Sequence, residues 1–240
     1  MKKLIALLLA LTMLVVIAGC EKKPAAMTHE QYIAAANDSE VIVEAYVAAI
    51  ESWWDGKIQV YALTDEGGYY IYNLACTEEE AAQFTVGTKV RFTGFKGEWA
   101  GEVEVMDAKF EILKADAKTF GADDVTAVFG TDELTKHMND LVAINGLTVV
   151  GSNDANGQEV AFLYKWDGSG SQGDDLYFNV ALGDKVFTFT VNAYMIGTGA
   201  DSEVYKTIEG LKVGDVINVE GFLYWYNGAQ PHVTSVTVVG

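Results

Sequence analysis

Cysteine is scarce in this 240-residue sequence, which contains only two, at positions 20 and 76. Cys20 closes an apolar N-terminal segment, so Cys76 alone remains for the folded part and an internal disulfide is excluded. A chain of roughly 220 residues buries enough apolar surface to fold without disulfides. We therefore expect Cys76 to be a small buried hydrophobic residue.

Basic residues are also few. The chain has 16 lysines and arginines against 34 aspartates and glutamates, a net charge of −18, and omitting Lys2 and Lys3 leaves −20. No segment forms a basic stripe. Nucleic-acid affinity rests largely on Lys and Arg contacts with phosphate, so the charge argues against nucleic acid as a partner.

The sequence also shows no recognisable set of catalytic residues. The three histidines, His29, His137 and His232, have no neighbouring cysteine and no serine nucleophile with an orienting carboxylate. Acidic pairs are frequent, but they are inevitable in so acidic a chain. The sequence predicts that the protein is not an enzyme.

The N-terminus, "MKKLIALLLALTMLVVIAGC", has the layout of a secretory signal peptide. Two lysines precede the apolar run Leu4–Ala18, and the closing "IAGC" resembles the bacterial lipoprotein box. That resemblance implies lipidation of Cys20 and cleavage just before it. We expect residues 1–19 to be a signal peptide and 20–27 a lipidated tether, which would hold the protein at the extracytoplasmic face of the cell membrane. An uncleaved membrane anchor is the alternative.

An internal repeat determines the predicted architecture. The segments "FTVGTKVRFTGF" (Phe84–Phe95) and "LKVGDVINVEGF" (Leu211–Phe222) align at an offset of 127 residues. The identical pairs are Val86/Val213, Gly87/Gly214, Gly94/Gly221 and Phe95/Phe222. The second copy carries an insertion after its first strand, which includes the glycine- and serine-rich "YKWDGSGSQGDD".

Each copy reads as five strands and a short helix. The strands of the first copy are predicted at Val41–Ser52, Lys57–Leu63, Tyr69–Asn73, Thr88–Phe95 and Glu102–Leu113. Those of the second are predicted at Leu141–Gly151, Val160–Trp166 with Leu176–Leu182, Lys185–Ile196, Val216–Tyr226 and Gln230–Val239. A capping box at Thr77–Glu80 predicts a helix between strands 3 and 4, and Asp201–Glu209 is its counterpart.

This layout predicts a mostly β chain with two tandem five-stranded OB-like Greek-key barrels. A short helix, His29–Asn37 or Asp132–Asp140, is expected before each barrel. The domains are residues 28–113 and 131–240, the second with a long inserted 1–2 region. Residues 114–130 connect them, with Val125, Val128 and Phe129 expected to pack against a barrel.

The aromatic loops are the candidate ligand site. The 1–2 and 4–5 loops of an OB barrel flank its binding face, and they contain Trp53, Trp54, Trp99, Trp166, Tyr224, Trp225 and Tyr226. Aromatic faces stack on sugars or bases, and the acidic charge favours a glycan, a peptide or another exported ligand. The alternative is packing, with the aromatic tips sealing the barrels or docking one barrel on the other.

No cofactor is predicted, although calcium remains a minor alternative. Asp167, Asp174 and Asp175 could form a loose site, but Gln172 and Phe178 stand where an EF-hand needs glycine and glutamate. Glu102 and Glu104 share one strand face, which we expect to be solvated.

The chain also resembles a family of uncharacterised bacterial lipoproteins with tandem OB-fold domains. The segments "SWWDGK", "IYNLACTEEE", "GTKVRFTGFKGEWAGEVEVMDA" and "GLKVGDVINVEGFLYWYNGAQPHVTSVTV" carry the likeness. It implies fold and location and supplies no site residues. We expect a lipid-anchored, non-catalytic protein that binds a glycan, a peptide or an envelope partner. The alternatives are an OB-fold protein that binds nucleic acid or nucleotides, and a structural or adhesion module without a small ligand.

Overall fold

Five strands close the first barrel in this computed structural model, which describes residues 23–239. They are β1 (Glu40–Ile50), β2 (Lys57–Leu63), β3 (Gly68–Ala75), β4 (Lys89–Trp99) and β5 (Glu102–Ile112). Their order around the barrel is β1-β2-β3-β5-β4, and β3 pairs with β5 in parallel. This is the strand order of an OB fold, so the predicted architecture is confirmed for the first copy.

Two short helices flank these strands. α1 (His29–Ala34) precedes the barrel and α2 (Glu78–Ala81) lies between β3 and β4. Thr28 and Thr77 each accept a hydrogen bond from the backbone of the third helical residue, whose side chain bonds back to the threonine backbone. These are two complete capping boxes, and the one at Thr77 starts the helix that the sequence predicts between strands 3 and 4.

The second barrel repeats the order with extra short strands. Its elements are β6 (Asp123–Asp124), a 3₁₀ helix (Asp132–His137), β7 (Leu141–Val150), β8 (Ser152–Asn153), β9 (Glu159–Val160), β10 (Leu163–Tyr164), β11 (Leu176–Leu182), β12 (Lys185–Val191), α3 (Glu203–Glu209), β13 (Val216–Phe222) and β14 (His232–Val238). The order β7-β11-β12-β14-β13 closes because β11 and β13 both pair with β7. The predicted tandem of five-stranded barrels is therefore confirmed.

Three local differences separate the second copy from the prediction. The helix before the barrel is a 3₁₀ helix, and it ends at His137. The second strand is β11 alone, because the earlier part of the predicted split run forms the short β9 and β10 inside the insertion. The connector contributes β6, which pairs with β7, and Val125 and Phe129 lie in the second barrel's core with Val128 beside it, as expected.

The two barrels share a third apolar cluster between their own cores. It consists of Ala49, Tyr61, Leu63, Tyr70, Met195 and Phe222. The rings of Tyr61 and Phe222 stack with centroids 4.4 Å apart. Backbone bonds also cross the interface, from Ser52 N to Tyr194 O at 2.8 Å and from Ile196 N to Ile50 O at 2.9 Å.

The predicted signal peptide and Cys20 lie outside the described residues. The last part of the predicted tether lies on the first barrel, where Lys23 forms an ion pair with Glu111 and Met27 N donates to Ile42 O. Among the helices of residues 23–239, none combines the length and the hydrophobicity needed to cross a bilayer. Cys76 is buried and unpaired, as expected.

Candidate functional site: a cleft between the barrels

The 4–5 hairpin of the second barrel, between β13 and β14, distributes its aromatic residues among three environments. Leu223 and Trp225 pack on the core of the second barrel. On the opposite side of the hairpin, Phe222 and Tyr224 pack on the cluster shared by the two barrels. At the tip, Tyr226 contacts Trp99, with ring centroids 5.2 Å apart.

The hairpin tips of the two barrels meet directly. Trp99 and Tyr226 occupy equivalent positions of the 127-residue repeat. Next to them, Asn227 N donates to Ala100 O at 2.7 Å. The tips therefore dock on each other, and these two rings, tilted by 38° to each other, also form part of the wall of a cleft.

This cleft lies between the barrels and has a volume of about 1130 Å³. Its aromatic lining consists of Tyr70, Tyr72, Trp99, Trp166, Tyr177, Tyr224 and Tyr226. Its amides are Gln59, Asn153, Asn179, Asn192 and Gln230, and its carboxylates are Glu51, Glu98, Glu104 and Asp175. No lysine or arginine of the part of the chain described by the structure lines it.

One wall of the cleft is the strand 2–3 face of the second barrel. Leu176, Phe178 and Val180 of β11 point into the core. By period-two alternation, Tyr177 and Asn179 point the other way, and both line the cleft. Oligosaccharides and oligonucleotides bind OB folds on this face, between the 1–2 and 4–5 loops.

The parallel strand pairs that close the two barrels face each other across the cleft. In the first barrel the pair is Tyr70 with Glu104, and in the second it is Thr190 with His232. All four residues line the cleft. Barrel closure therefore brings together side chains that are far apart in the sequence.

A hydrogen-bonded chain crosses the cleft floor from one barrel to the other. Asn192 Nδ2 and Gln59 Nε2 both donate to the carboxylate of Glu51, and the Tyr70 hydroxyl donates to Gln59. Burial raises the pKa of Glu51, while the two amide donors partly offset this effect. Burial also raises the pKa of Asp175, whose carboxylate accepts a hydrogen bond from Ala193 N.

The expectation of a solvated face for Glu102 and Glu104 is wrong. Glu102 is fully buried against the hairpin of the second barrel, where it meets Trp225, and Glu104 is only 4% exposed in the wall of the cleft. Burial raises the pKa of Glu102 to about 8 and that of Glu104 to about 7. Glu102 accepts a hydrogen bond from Trp225 N at 2.7 Å, whereas Glu104 has no such donor among residues 23–239.

His232 is a buried neutral side chain. Its Nδ1 lies 2.9 Å from the Tyr61 hydroxyl, and its ring stacks on Tyr224 with centroids 4.3 Å apart. Burial lowers its pKa to about 4, so it carries no charge near neutral pH. It thus contributes an uncharged polar edge to an otherwise acidic cleft.

Four of the seven predicted aromatic residues line this cleft: Trp99, Trp166, Tyr224 and Tyr226. Trp53 lines a separate apolar groove, and its indole Nε1 donates to Cys76 O at 2.9 Å. Trp54 is 77% exposed, and Trp225 is a half-buried packing residue. The candidate set is therefore divided between cleft, groove and core.

The three aspartates that the sequence allows as a loose calcium site each accept a hydrogen bond from a backbone N–H. Asp167 accepts from Ser169 N, Asp174 from Ser171 N and Asp175 from Ala193 N. Within residues 23–239, no three His, Cys, Asp or Glu side chains cluster closely enough to hold a metal ion.

Sequence reasoning missed the cleft residues contributed by strands. Tyr70, Tyr72 and Tyr177 are the aromatic examples, Glu104 is an acidic one, and Glu51 directly follows β1. Alternation in "LYFNVAL" placed Tyr177 and Asn179 on the outer face of a strand, which was the available signal. Nothing local indicated that this face would lie opposite β3 and β5.

The strand order and the cleft define a tandem OB-fold protein. No protein-family model and no curated protein matches the chain. Among solved structures, it is similar to a murine DNA-binding protein bound with double-stranded DNA, at 9% identity and a TM-score of 0.36, over 82% of this chain and 98% of that one.

Two further solved structures show comparable likeness. The p204 HINb domain is 9% identical over 85% of this chain and 100% of that one, with a TM-score of 0.36. A replication protein A heterotrimer bound to single-stranded DNA is 10% identical over 91% of this chain and 70% of that one, with a TM-score of 0.33. Likeness at this level carries no argument about what this chain binds.

Proposed function

We propose that this chain is a lipid-anchored, extracytoplasmic, non-catalytic binding protein that holds a glycan in the cleft between its two barrels. The observation that carries the proposal is the lining of the cleft, which combines seven aromatic rings with amides and carboxylates and includes no cation of the described residues. Aromatic rings stack on the apolar faces of sugars, and amides and carboxylates bond to hydroxyl groups.

The size of the cleft is consistent with an oligosaccharide. The volume of about 1130 Å³ is slightly larger than that of ordinary ligand pockets, which reach roughly 1,000 Å³. The cleft also lies on the face that OB folds use for extended ligands. Its tyrosines and tryptophans would supply rigid contact area at low conformational cost.

The binding test uses intrinsic tryptophan fluorescence of the full chain titrated with neutral oligosaccharides. Trp166 is 69% exposed and lines the cleft, so a bound sugar would change its emission. We expect Trp166→Ala to weaken binding by about tenfold or more, as the loss of an aromatic contact at a binding hot spot does. Trp54→Ala is the matched control, because this exposed tryptophan lies outside the cleft. The Trp54→Ala variant should bind the oligosaccharide with unchanged affinity.

Nucleic acid is the alternative ligand, and its binding should depend on salt concentration in a different way. Phosphate binding by lysine and arginine weakens steeply as salt rises, whereas a neutral sugar in this cleft should be insensitive to salt. Tight, salt-sensitive binding of a single-stranded oligonucleotide, with no response to oligosaccharides, would replace the glycan proposal.

Lipid anchoring is tested separately on living cells. We expect the wild-type protein to partition into the detergent phase and to incorporate a labelled fatty acid. Cys20→Ser should abolish both, because the thiol is the proposed attachment point. A Cys20→Ser protein that still carried the label would contradict this part of the proposal.

A further inference from the structure

Glu104 is a buried carboxylate without a partner. It is 4% exposed, and burial is the sole influence on its pKa, with no hydrogen bond or ion pair to it among residues 23–239. Carboxylates this deeply buried are ordinarily paired with a cation or with several donors. A cationic ligand group would compensate this carboxylate.

The carboxylate faces the cleft, where nothing compensates its charge. Glu104 lines the cleft, and Gly97, its partner on β4, has no side chain to cover it. The ionisable groups that interact with it are Tyr32 of α1, Tyr70 of β3, Glu102 of its own strand and Tyr224 of the hairpin. On the adjacent strand β4, Lys96 pairs with Val105, but its Nζ donates to the carbonyl oxygens of Ile33 and Ala35.

A second unpartnered group lies on the opposite barrel. Thr190 is 3% exposed, lines the cleft, and has no hydrogen-bond partner for its Oγ1 among the residues that the structure describes.

The rings of Tyr70 and Tyr224 lie next to each other, with centroids 5.6 Å apart at an angle of 73°. A bound cation beside these rings would be stabilised by their faces as well as by the carboxylate.

We propose that the cleft selects ligands that carry an ammonium group, which binds directly to the ionised carboxylate of Glu104 beside the rings of Tyr70 and Tyr224. This inference rests on the proposed function and narrows it to a cationic sugar, such as an amino sugar. A protonated Glu104 that donates to a hydroxyl of a neutral sugar is the alternative, and it predicts a different result.

The test compares three probes by calorimetry on the full chain in detergent micelles. They are a tetramer of N,N,N-trimethylglucosamine, the tetramer of N-acetylglucosamine, and choline, which is a quaternary ammonium without a sugar. The trimethylated tetramer keeps its charge at every pH. Any pH dependence of its binding therefore reports on the protein.

The expected result is a charge preference that depends on Glu104. The cationic tetramer should bind at least about tenfold more tightly than the acetylated one at pH 8, because a desolvated charge pair is formed. The ligand binds the ionised form, so its affinity should rise about tenfold between pH 6 and pH 8, across the pKa of about 7. Glu104→Gln should remove both effects.

Glu220→Gln is the matched control, since Glu220 is an exposed carboxylate of the second barrel outside the cleft. It should change the affinity only about twofold, as a solvent-screened charge does. Glu104→Gln should fold normally because it replaces a desolvated carboxylate with a neutral amide. The pH profile of the wild-type chain tests the inference even without that variant.

The outcomes separate this inference from the proposed function. Equal, pH-independent binding of both tetramers would overturn the ammonium inference and leave glycan binding in place. If choline bound in a pH-dependent way and neither tetramer bound, the ammonium site would be supported and glycan binding would be overturned. Failure of all three probes would overturn both.

Discussion

Glu102 is an ionisable side chain in the interior of the protein. It is fully buried, its Oε1 has no partner, and the Oδ1 of the neighbouring Asn139 has none either among residues 23–239. Asn139 Nδ2 already donates to Val103 O. Burial raises the pKa of Glu102 to about 8, and the side chain of Asn139 and the backbone N–H of Trp225 offset only part of that rise.

The free energy of unfolding should therefore fall as pH rises from about 5 to 8. The folded state binds the Glu102 proton up to about pH 8, whereas the unfolded state loses it near 4.5, so stability is highest below 4.5 and is lost toward 8. Glu102→Gln mimics the protonated form and should raise stability at pH 8 by about 2–3 kcal/mol. Urea unfolding of both proteins at pH 5 and pH 8 is the measurement, and an equal pH slope for the two would refute the assignment.

Tyr61 contributes a side-chain hydrogen bond between the two barrels. Its hydroxyl bonds to His232 across the interface. Tyr61→Phe keeps the stacking on Phe222 but leaves His232 Nδ1 unpaired, at a cost of about 1–2 kcal/mol. Tyr72→Phe, at an exposed ring, should cost close to nothing; a similar loss in both variants would argue against the buried bond.

At the scale of elements, the glycines shared by the two repeats allow equivalent strands to approach their neighbours closely. Gly94 and Gly221 occupy equivalent positions in β4 and β13, each beside a register shift against the neighbouring strand. A Cβ at Gly94 would lie 2.5 Å from Met106 O, and one at Gly221 would lie 2.4 Å from His232 O. Both contacts are with backbone, which cannot rotate away, so the repeat conserves a close strand approach.

Alanine at either glycine should destabilise its barrel by about 2–3 kcal/mol, because the strands must separate locally. Gly121→Ala is the matched control, since its Cβ would meet nothing within 4 Å and its φ is not positive. Thermal denaturation compares the three variants. Gly221→Ala with wild-type stability would show that the strands tolerate a side chain at this position.

At the scale of the whole molecule, the two barrels form one unit. Their shared cluster is apolar, and it is reinforced by backbone bonds and by the docked hairpin tips. The cleft exists only because the barrels keep this arrangement. Ligand affinity and interface stability should therefore be coupled.

Wild-type unfolding should be a single calorimetric transition. Phe222→Ala removes a ring that is 2% exposed at the centre of the interface, and it should cost about 3–5 kcal/mol. We expect this variant to split the transition in two and to lose glycan binding together with barrel coupling. Two transitions already present in the wild type would show that the barrels unfold independently.

Much of the fold could be predicted because its signals are local. Alternation in β1 and β7, the capping box at Thr77 and the 127-residue glycine offset each act within one element or one repeat. Less of the site could be predicted, since the environment of Glu102 depends on Trp225 of the second barrel. The solvated face expected for Glu102 and Glu104 followed from the same alternation, which identifies a face without saying what covers it.

The sequence by itself determined the two barrels, their strand order, the 4–5 hairpin and the loops that hold the tryptophans, because chain periodicity and turn chemistry specify these features. Only the tertiary structure decided that Trp99 and Tyr226 meet, that Trp225 is a packing residue, and that Glu104 lacks a partner. The physical reason is that these outcomes depend on how two separately folded barrels dock. That docking is set by contacts such as Tyr61 with Phe222, between residues 161 positions apart.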